Sequence, residues 1–373
     1  MKRKSIYILL LSFAVLLLSS PRSFSEKYPD YQDERIKNLL QEGVDASFRE
    51  NYPVAESIFD RIILLAPEDP AGYFFKAALY QAEMVDYESN FLEKEFYENA
   101  NLAKKLSLER IKANKEDPWA YLLLGNAYGS KGLYDARKGN WWSGLNNGLS
   151  AKSALKEALE RNPELYDAYV GLGSYHYWAS VVTKAFWWLP FFGDHRKEGM
   201  EEMTLAYEKS IFSSDAAANG LIWMYIQEKK FDLALSLSEK MQSKYPQGKS
   251  FLWGLAQAYF EKRDWKNALA KYRELLEKLE ANKPDPNSDN ITRGANQNSI
   301  KPDQFYNIIE CQYYIANCLF SLGRYKECTS VCEETLNSDF GEQVEKRQKN
   351  RLKSIQRLLE KSEGFSRRKE GGE

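Results

Sequence analysis

Apolar residues along this chain recur at helical spacing, and one arrangement of them is repeated. Ala103–Gly125 reads AKKLSLERIKANKEDPWAYLLLG, and Ala151–Gly173, 48 residues on, reads AKSALKEALERNPELYDAYVGLG. The two agree position by position: Ala103 with Ala151, Lys104 with Lys152, Asn114 with Asn162, Ala120 with Ala168, Tyr121 with Tyr169, Leu124 with Leu172 and Gly125 with Gly173. The pattern predicts the second helix of one hairpin, a Pro-containing turn, and the first helix of the next. A fixed period of this length is the signature of a stacked array of helical hairpins.

Two helices of a hairpin approach closely only where side chains are small. Following that small position along the second helices gives Ala55, Ala103, Ala151, Gly199, Ala234, Ala268 and Cys328, at spacings of 48, 48, 48, 35, 34 and 60. The spacing of 34 resembles that of the tetratricopeptide repeat, and the local residues agree. Leu255-Ala256, Tyr259, Trp265, Ala268, Tyr272 and Leu275 resemble one complete unit. Gly43, Tyr52, Ala55, Phe59 and Pro67 resemble another, as do Phe231, Ala234 and Pro246, and Ala316, Gly323-Arg324-Tyr325 and Cys328. The resemblance runs from Arg35 to Leu336. It implies an all-α fold, a right-handed superhelical solenoid of about seven hairpins with a C-terminal capping helix.

Three central units depart from the family by 14 extra residues each. Split over two helices, that adds about two turns, roughly 10 Å, to each. The inserts carry bulky pairs in register: Phe91-Leu92, Trp141-Trp142 and Trp187-Trp188. Equivalent positions of stacked units lie side by side, so the register predicts that these inserts pack on one another and extend the core. The Gly-rich stretch Gly139–Gly148 is expected to be the least regular of them.

The ends read differently. Lys2, Arg3 and Lys4 precede the apolar run Ile6–Leu18, and Ser23-Phe24-Ser25 supplies small residues after it. Residues 1–25 are therefore expected to be a secretory signal peptide, and the mature chain to be exported: periplasmic, secreted, or held by an uncleaved N-terminal anchor. Residues 26–35 form a lead-in, 36–282 the first six units, 283–304 a polar flexible loop and 305–341 the seventh unit. Residues 342–361, with Val344, Leu352, Ile355, Leu358 and Leu359 apolar, predict a solvating cap, and 362–373 a disordered tail.

Composition changes this picture little. Removing residues 1–25 leaves 48 basic against 53 acidic residues, a net charge of −5, which argues against nucleic acid as a partner. Beyond residue 25 nothing approaches 18 uninterrupted apolar residues, so no stable membrane span is expected. Aromatic residues make up 14% of the chain and fall at helical spacing, as core does.

Candidate chemistry is sparse. The four cysteines, Cys311, Cys318, Cys328 and Cys332, all lie in the last unit. Export makes a Cys318–Cys328 bridge across that hairpin an expectation; the alternative is that small apolar cysteines fill packing positions. Their spacing does not fit a zinc finger or ribbon. His176 stands where the repeat wants a large core residue, and His195 begins a helix for which Asp194 is a natural N-cap. No local motif supplies an orienting acid and a nucleophile, so neither catalysis nor a metal or cofactor is expected. Gly125–Gly132 lacks the Gly-Lys-Ser/Thr ending of a phosphate loop.

In the family that the sequence resembles, first helices line a concave groove that holds ligands. Carried onto this chain, the contact positions are Trp119, Leu122 and Asn126; Asp167, Val170, Ser174 and Tyr177; Asn219, Trp223 and Ile226; Ser250, Trp253, Gln257 and Phe260; and Glu310, Tyr313 and Asn317. Asn126 lacks the Lys and Arg of a carboxylate clamp. The resemblance thus implies a non-catalytic scaffold of the cell envelope holding a protein segment with large apolar anchors, chiefly at Trp119, Asn126, Val170, Ser174, Trp223, Trp253, Gln257 and Tyr313. Alternatives are a small molecule or glycan stacked on the groove aromatics, and a superhelix tight enough to bury these residues on the protein itself. A further alternative is that the Trp178–Phe192 insert touches a membrane.

Overall fold

The structure is a computed structural model, and it describes residues 31, 34–183, 193–281 and 305–370. Among the described residues there are fifteen α-helices and no strand. They are α1 (Glu34–Phe48), α2 (Tyr52–Leu65), α3 (Pro70–Asp86), α4 (Glu93–Ala113), α5 (Pro118–Arg137), α6 (Trp141–Arg161), α7 (Ala168–Thr183), α8 (Arg196–Lys209), α9 (Ser214–Gln227), α10 (Phe231–Lys244), α11 (Ser250–Glu261), α12 (Trp265–Ala281), α13 (Phe305–Ser321), α14 (Tyr325–Asn337) and α15 (Glu342–Glu370). Successive helices pair from α1–α2 to α13–α14 as seven hairpins, and α15 packs across the last of them. The result is an all-α superhelical solenoid. The expected signal peptide, the polar loop and the Trp187-Trp188 pair lie outside the described residues.

Local sequence sets the helix ends. Pro70 and Pro118 open α3 and α5, where a first-turn residue has no helical hydrogen bond to lose. The preceding aspartates cap them: Asp69 accepts from Ala71 N at 2.9 Å, and Asp117 from Trp119 N at 3.0 Å and Ala120 N at 3.2 Å. Among the described residues, six of the turns inside the hairpins share one solution, a residue in the left-handed region just past the first helix. Glu50, Glu88, Gly139, Lys229, Arg263 and Gly323 all have positive φ. The next N–H then reaches back into the helix, as Lys230 N does to Tyr225 O at 2.8 Å and Asp264 N to Tyr259 O at 2.9 Å. At the small positions, Ala55, Ala103, Ala234, Ala268 and Cys328 are fully buried.

The central hairpins are long: α5 and α6 have 20 and 21 residues, against 14 each for α9 and α10. Contrary to the composition-based expectation, the Gly-rich stretch is regular helix from Trp141 onward. Gly144 stands where two backbones touch: a Cβ there would come within 3.1 Å of Gly132 O, and one on Gly132 within 3.1 Å of Gly144 O. Its polar residues have a partner in buried Asp135, which accepts from Ser143 Oγ at 2.6 Å and Asn147 Nδ2 at 3.1 Å.

Two other expectations fail. Trp141 and Trp142 do not extend the core; they are 69% and 80% exposed. The first pair does extend the core: Leu92 is buried and Phe91 packs beside it, in a cluster with Phe96, Tyr97 and Tyr134 whose Phe96 and Tyr134 ring centroids lie 4.8 Å apart. The capping helix does not stop at residue 361. It continues to Glu370 because Phe365 stacks on Tyr325 at 5.1 Å and meets Phe320 edge-on at 5.7 Å. Among the described residues no helix is long and apolar enough to cross a membrane.

Candidate functional site

The superhelix closes on itself. Phe48, at the end of α1, stacks on Phe251 of α11 and lies 5.6 Å from both that ring and Tyr245. Beside it, Glu50 accepts the Lys249 backbone N–H at 2.5 Å and pairs with its ammonium, which also lies 3.2 Å from Asp86. Asp86 in turn accepts the Tyr52 hydroxyl at 3.0 Å, and its carbonyl accepts Asn307 Nδ2 at 2.6 Å. Burial pushes the Glu50 carboxyl up, reinforced by Asp86 and opposed by Lys249. Burial works against the Lys249 charge, but Glu50 and Asp86 outweigh it and hold the ammonium above its usual range.

A second set of contacts anchors the N-terminal end. Arg110, buried at the end of α4, donates to Asp117 at 2.6 Å and to the Tyr31 hydroxyl at 2.9 Å, and pairs with Asp69. One guanidinium thus ties together the N-caps of α3 and α5 and the chain leading into α1. Tyr31 lies edge-on to Trp119 at 4.7 Å, and Trp119 meets Phe212 at 5.9 Å.

Closure leaves a central chamber of about 1600 Å³, walled mainly by the first helices α3, α5, α7, α9 and α11. Of the contact positions implied by the resemblance, Asn126, Val170, Ser174, Trp223, Trp253 and Gln257 line it together. Trp119 also lines it but spends its ring faces on Tyr31 and Phe212, so there the protein is its own ligand. Tyr313 lies elsewhere: it turns to the capping helix, where the Arg351 guanidinium sits 4.0 Å from its ring, and Tyr314 lines the chamber instead. Gln257 accepts the Tyr272 hydroxyl at 2.7 Å and so is held in place.

The resemblance missed the far end of the chamber. Leu133, Trp141, Leu145, Trp178 and Val182 line it and are exposed, Leu133 at 68% and Val182 at 69%. The signal was periodicity. Leu133 continues the Leu122, Asn126, Gly129 stripe of α5, and Trp178 and Val182 continue Ser174 along α7 at steps of four. Lengthening the helices lengthens the groove face with them.

All four cysteines are buried free thiols, and no Cys318–Cys328 bridge is formed. Cys311 Sγ donates to Tyr272 O at 2.9 Å, and Cys328 meets Cys332 one turn along α14. Burial pushes the Cys318 thiol up to about 12, which leaves it unreactive.

Comparison with known proteins agrees with this architecture. Residues 225–286, from the end of α9 through α12, match the family model of the tetratricopeptide repeat. No curated protein sequence matches the chain. Among solved structures, the APC/C hetero-tetramer Cut9–Hcn1 is 11% identical over 91% of this chain and 57% of that one, with a TM-score of 0.50. PilW, a type IV pilus biogenesis factor, is 12% identical over 71% and 98% of the two chains, with a TM-score of 0.45. A thermophilic tetratricopeptide-repeat protein from Thermus thermophilus is 18% identical over 60% and 98%, with a TM-score of 0.38.

Proposed function

From the premise that this chain is a tetratricopeptide-repeat protein, we propose that it is an exported, non-catalytic scaffold that holds an apolar segment of a partner protein in its central chamber. The observation that carries this reading is convergence. Four successive first helices, α5, α7, α9 and α11, direct Asn126, Val170, Ser174, Trp223 and Trp253 at one space, and its rim is built of exposed Leu133, Trp141 and Val182. Exposed apolar surface continuous with an apolar cavity favours a partner that covers the rim as well as filling the interior. The volume, about 1600 Å³, exceeds the roughly 300–1,000 Å³ of pockets that enclose one small molecule. Asn126 and Gln227 supply polar groups along the wall for the segment's backbone. Export rests on residues 1–25 alone.

A photo-reactive residue placed at Trp223, inside the chamber, is expected to cross-link a partner in the native envelope. The same residue at Leu64, 82% exposed on α2, is not. Ser174→Trp, which narrows the chamber with an indole on the α7 wall, should weaken the cross-link. Equal capture from both positions, or capture undiminished by Ser174→Trp, rules the chamber out. The second reading, a small apolar or glycan ligand, is favoured by the closure at Lys249; it predicts a compound released from the purified chain by organic extraction and absent from Ser174→Trp.

A further inference from the structure

The chain has two histidines, 19 positions apart, and the fold brings their rings to 5.9 Å between centroids. The approach begins in the backbone. A Cβ on Gly173 would stand 2.7 Å from Gly199 O, and one on Gly199 would stand 2.7 Å from Gly173 O, so α7 and α8 touch there. One turn along α7, buried His176 aims Nδ1 at Glu202 Oε2, 2.7 Å away, with Glu198 Oε1 at 3.9 Å. On the facing helix, His195, Glu198 and Glu202 follow at i, i+3 and i+7, on one face. His195 Nδ1 is 2.9 Å from Glu198 Oε2. Ser180 links the two backbones: its Oγ accepts the His195 backbone N–H at 2.9 Å and donates to the His176 carbonyl at 2.7 Å.

We propose that His176, Glu198 and Glu202, with His195 as fourth ligand, bind a divalent ion of the zinc class. The ligand atoms of the first three residues already lie within 4.8 Å of one another. Two carboxylates and two imidazoles place a formal charge of −2 against a buried wall. Lys152 is the cation that acts on Glu198 from the neighbouring helix, and its ammonium is turned over the Tyr175 ring at 4.8 Å. The donor set selects the ion: mixed imidazole nitrogen and carboxylate oxygen suits Zn²⁺ or Co²⁺, whereas Ca²⁺ and Mg²⁺ want oxygen alone. Binding would place the metal between His176 Nδ1 and Glu202 Oε2, which face each other at 2.7 Å. Entry is from the side where Glu198 and His195 are about half exposed. None of the four residues lines the chamber, so the site is separate from it. Its effect is to staple α7 to α8 and fix the wall that carries Ser174 and Trp178.

Co²⁺ titration of the full chain, followed by visible absorption, tests this. One equivalent is expected to bind with the intense bands of four-coordinate nitrogen and oxygen ligation, and one equivalent of Zn²⁺ is expected to displace it. His176→Asn should weaken binding at least about 100-fold, and Glu198→Gln, at a half-exposed position that the fold does not need, at least about 10-fold. Lys197→Gln should change nothing, and helical circular dichroism confirms that each variant is folded. Failure of the folded chain to take up Co²⁺, uptake indifferent to Glu198→Gln and His176→Asn, or displacement of Co²⁺ by equimolar Mg²⁺ would each overturn the proposal.

Discussion

Glu50 and Lys249 stand 199 positions apart in sequence, yet the carboxylate of one takes both the backbone N–H and the ammonium of the other. That contact closes the superhelix. Lys249→Ala would leave Glu50 and Asp86 as buried carboxylates with no ammonium between them, a loss of about 3–5 kcal/mol for a broken buried pair. The hairpins are held by their neighbours and not by closure, so the helical content should survive while the ring opens. Small-angle scattering should show a larger radius of gyration, and amides near Phe48 and Phe251 should exchange faster. An unchanged radius would mean that the Phe48 stacking closes the ring unaided. Replacing all three charges, with Glu50→Gln, Asp86→Asn and Lys249→Met, should restore much of the lost stability.

Alkaline pH should weaken the fold through its buried tyrosines. Burial, then the Asp69 charge, pushes Tyr31 well above its ordinary value near 10, and burial with Asp86 does the same to Tyr52. Tyr272 is raised by burial and by Tyr314. In the unfolded chain these phenols lose their protons near pH 10, and in the folded chain only above it. Stability fully present below about pH 10 is therefore lost as pH rises beyond it, by about 1.4 kcal/mol per pH unit for each of the three. The raised Lys249 ammonium has the same sign. Urea denaturation at pH 9, 10 and 11 checks this, and a flat profile would refute it.

The units were legible in the sequence, and the ring was not, for one physical reason. The two helices of each hairpin meet at a small residue that recurs from unit to unit, so Ala55, Ala103 and Ala268 announce themselves by position. Closure joins Phe48 to Phe251 and Glu50 to Lys249 once only, and a single long-range contact leaves no period to read. The same limit hid the pairing of His176 with Glu202, which depends on how closely Gly173 and Gly199 let two helices approach. Trp141 and Trp142 misled because apolar register reports which residues are equivalent and not which face they present.

Arg263 adopts φ of +63° at the turn between α11 and α12, where its equivalent in the last unit is Gly323 with φ of +70°. A side chain in that region costs about 1 kcal/mol that glycine avoids, although glycine loses more freedom on folding. Arg263 is exposed, so Arg263→Gly removes the strain without opening a cavity. The expected outcome is stabilisation by up to about 1 kcal/mol in a denaturation midpoint at constant slope. A lower midpoint would show that the guanidinium contributes more than the turn costs.

Two helix glycines should respond to the same substitution in opposite ways. A Cβ at Gly199 would meet Gly173 O and Tyr177 N, both at 2.7 Å, and these are backbone atoms that cannot rotate aside. Gly199→Ala must therefore push α7 from α8, at an overpacking cost of about 1–3 kcal/mol. At Gly129 the nearest atom to an added Cβ is Ala151 Cβ at 3.8 Å, an ordinary contact. There alanine gains about 1 kcal/mol of helix propensity with nothing to displace. Thermal unfolding should thus rank Gly129→Ala above the parent chain and Gly199→Ala below it. If both fall together, the loss is a general intolerance of change in the central hairpins and not the close approach of α7 and α8.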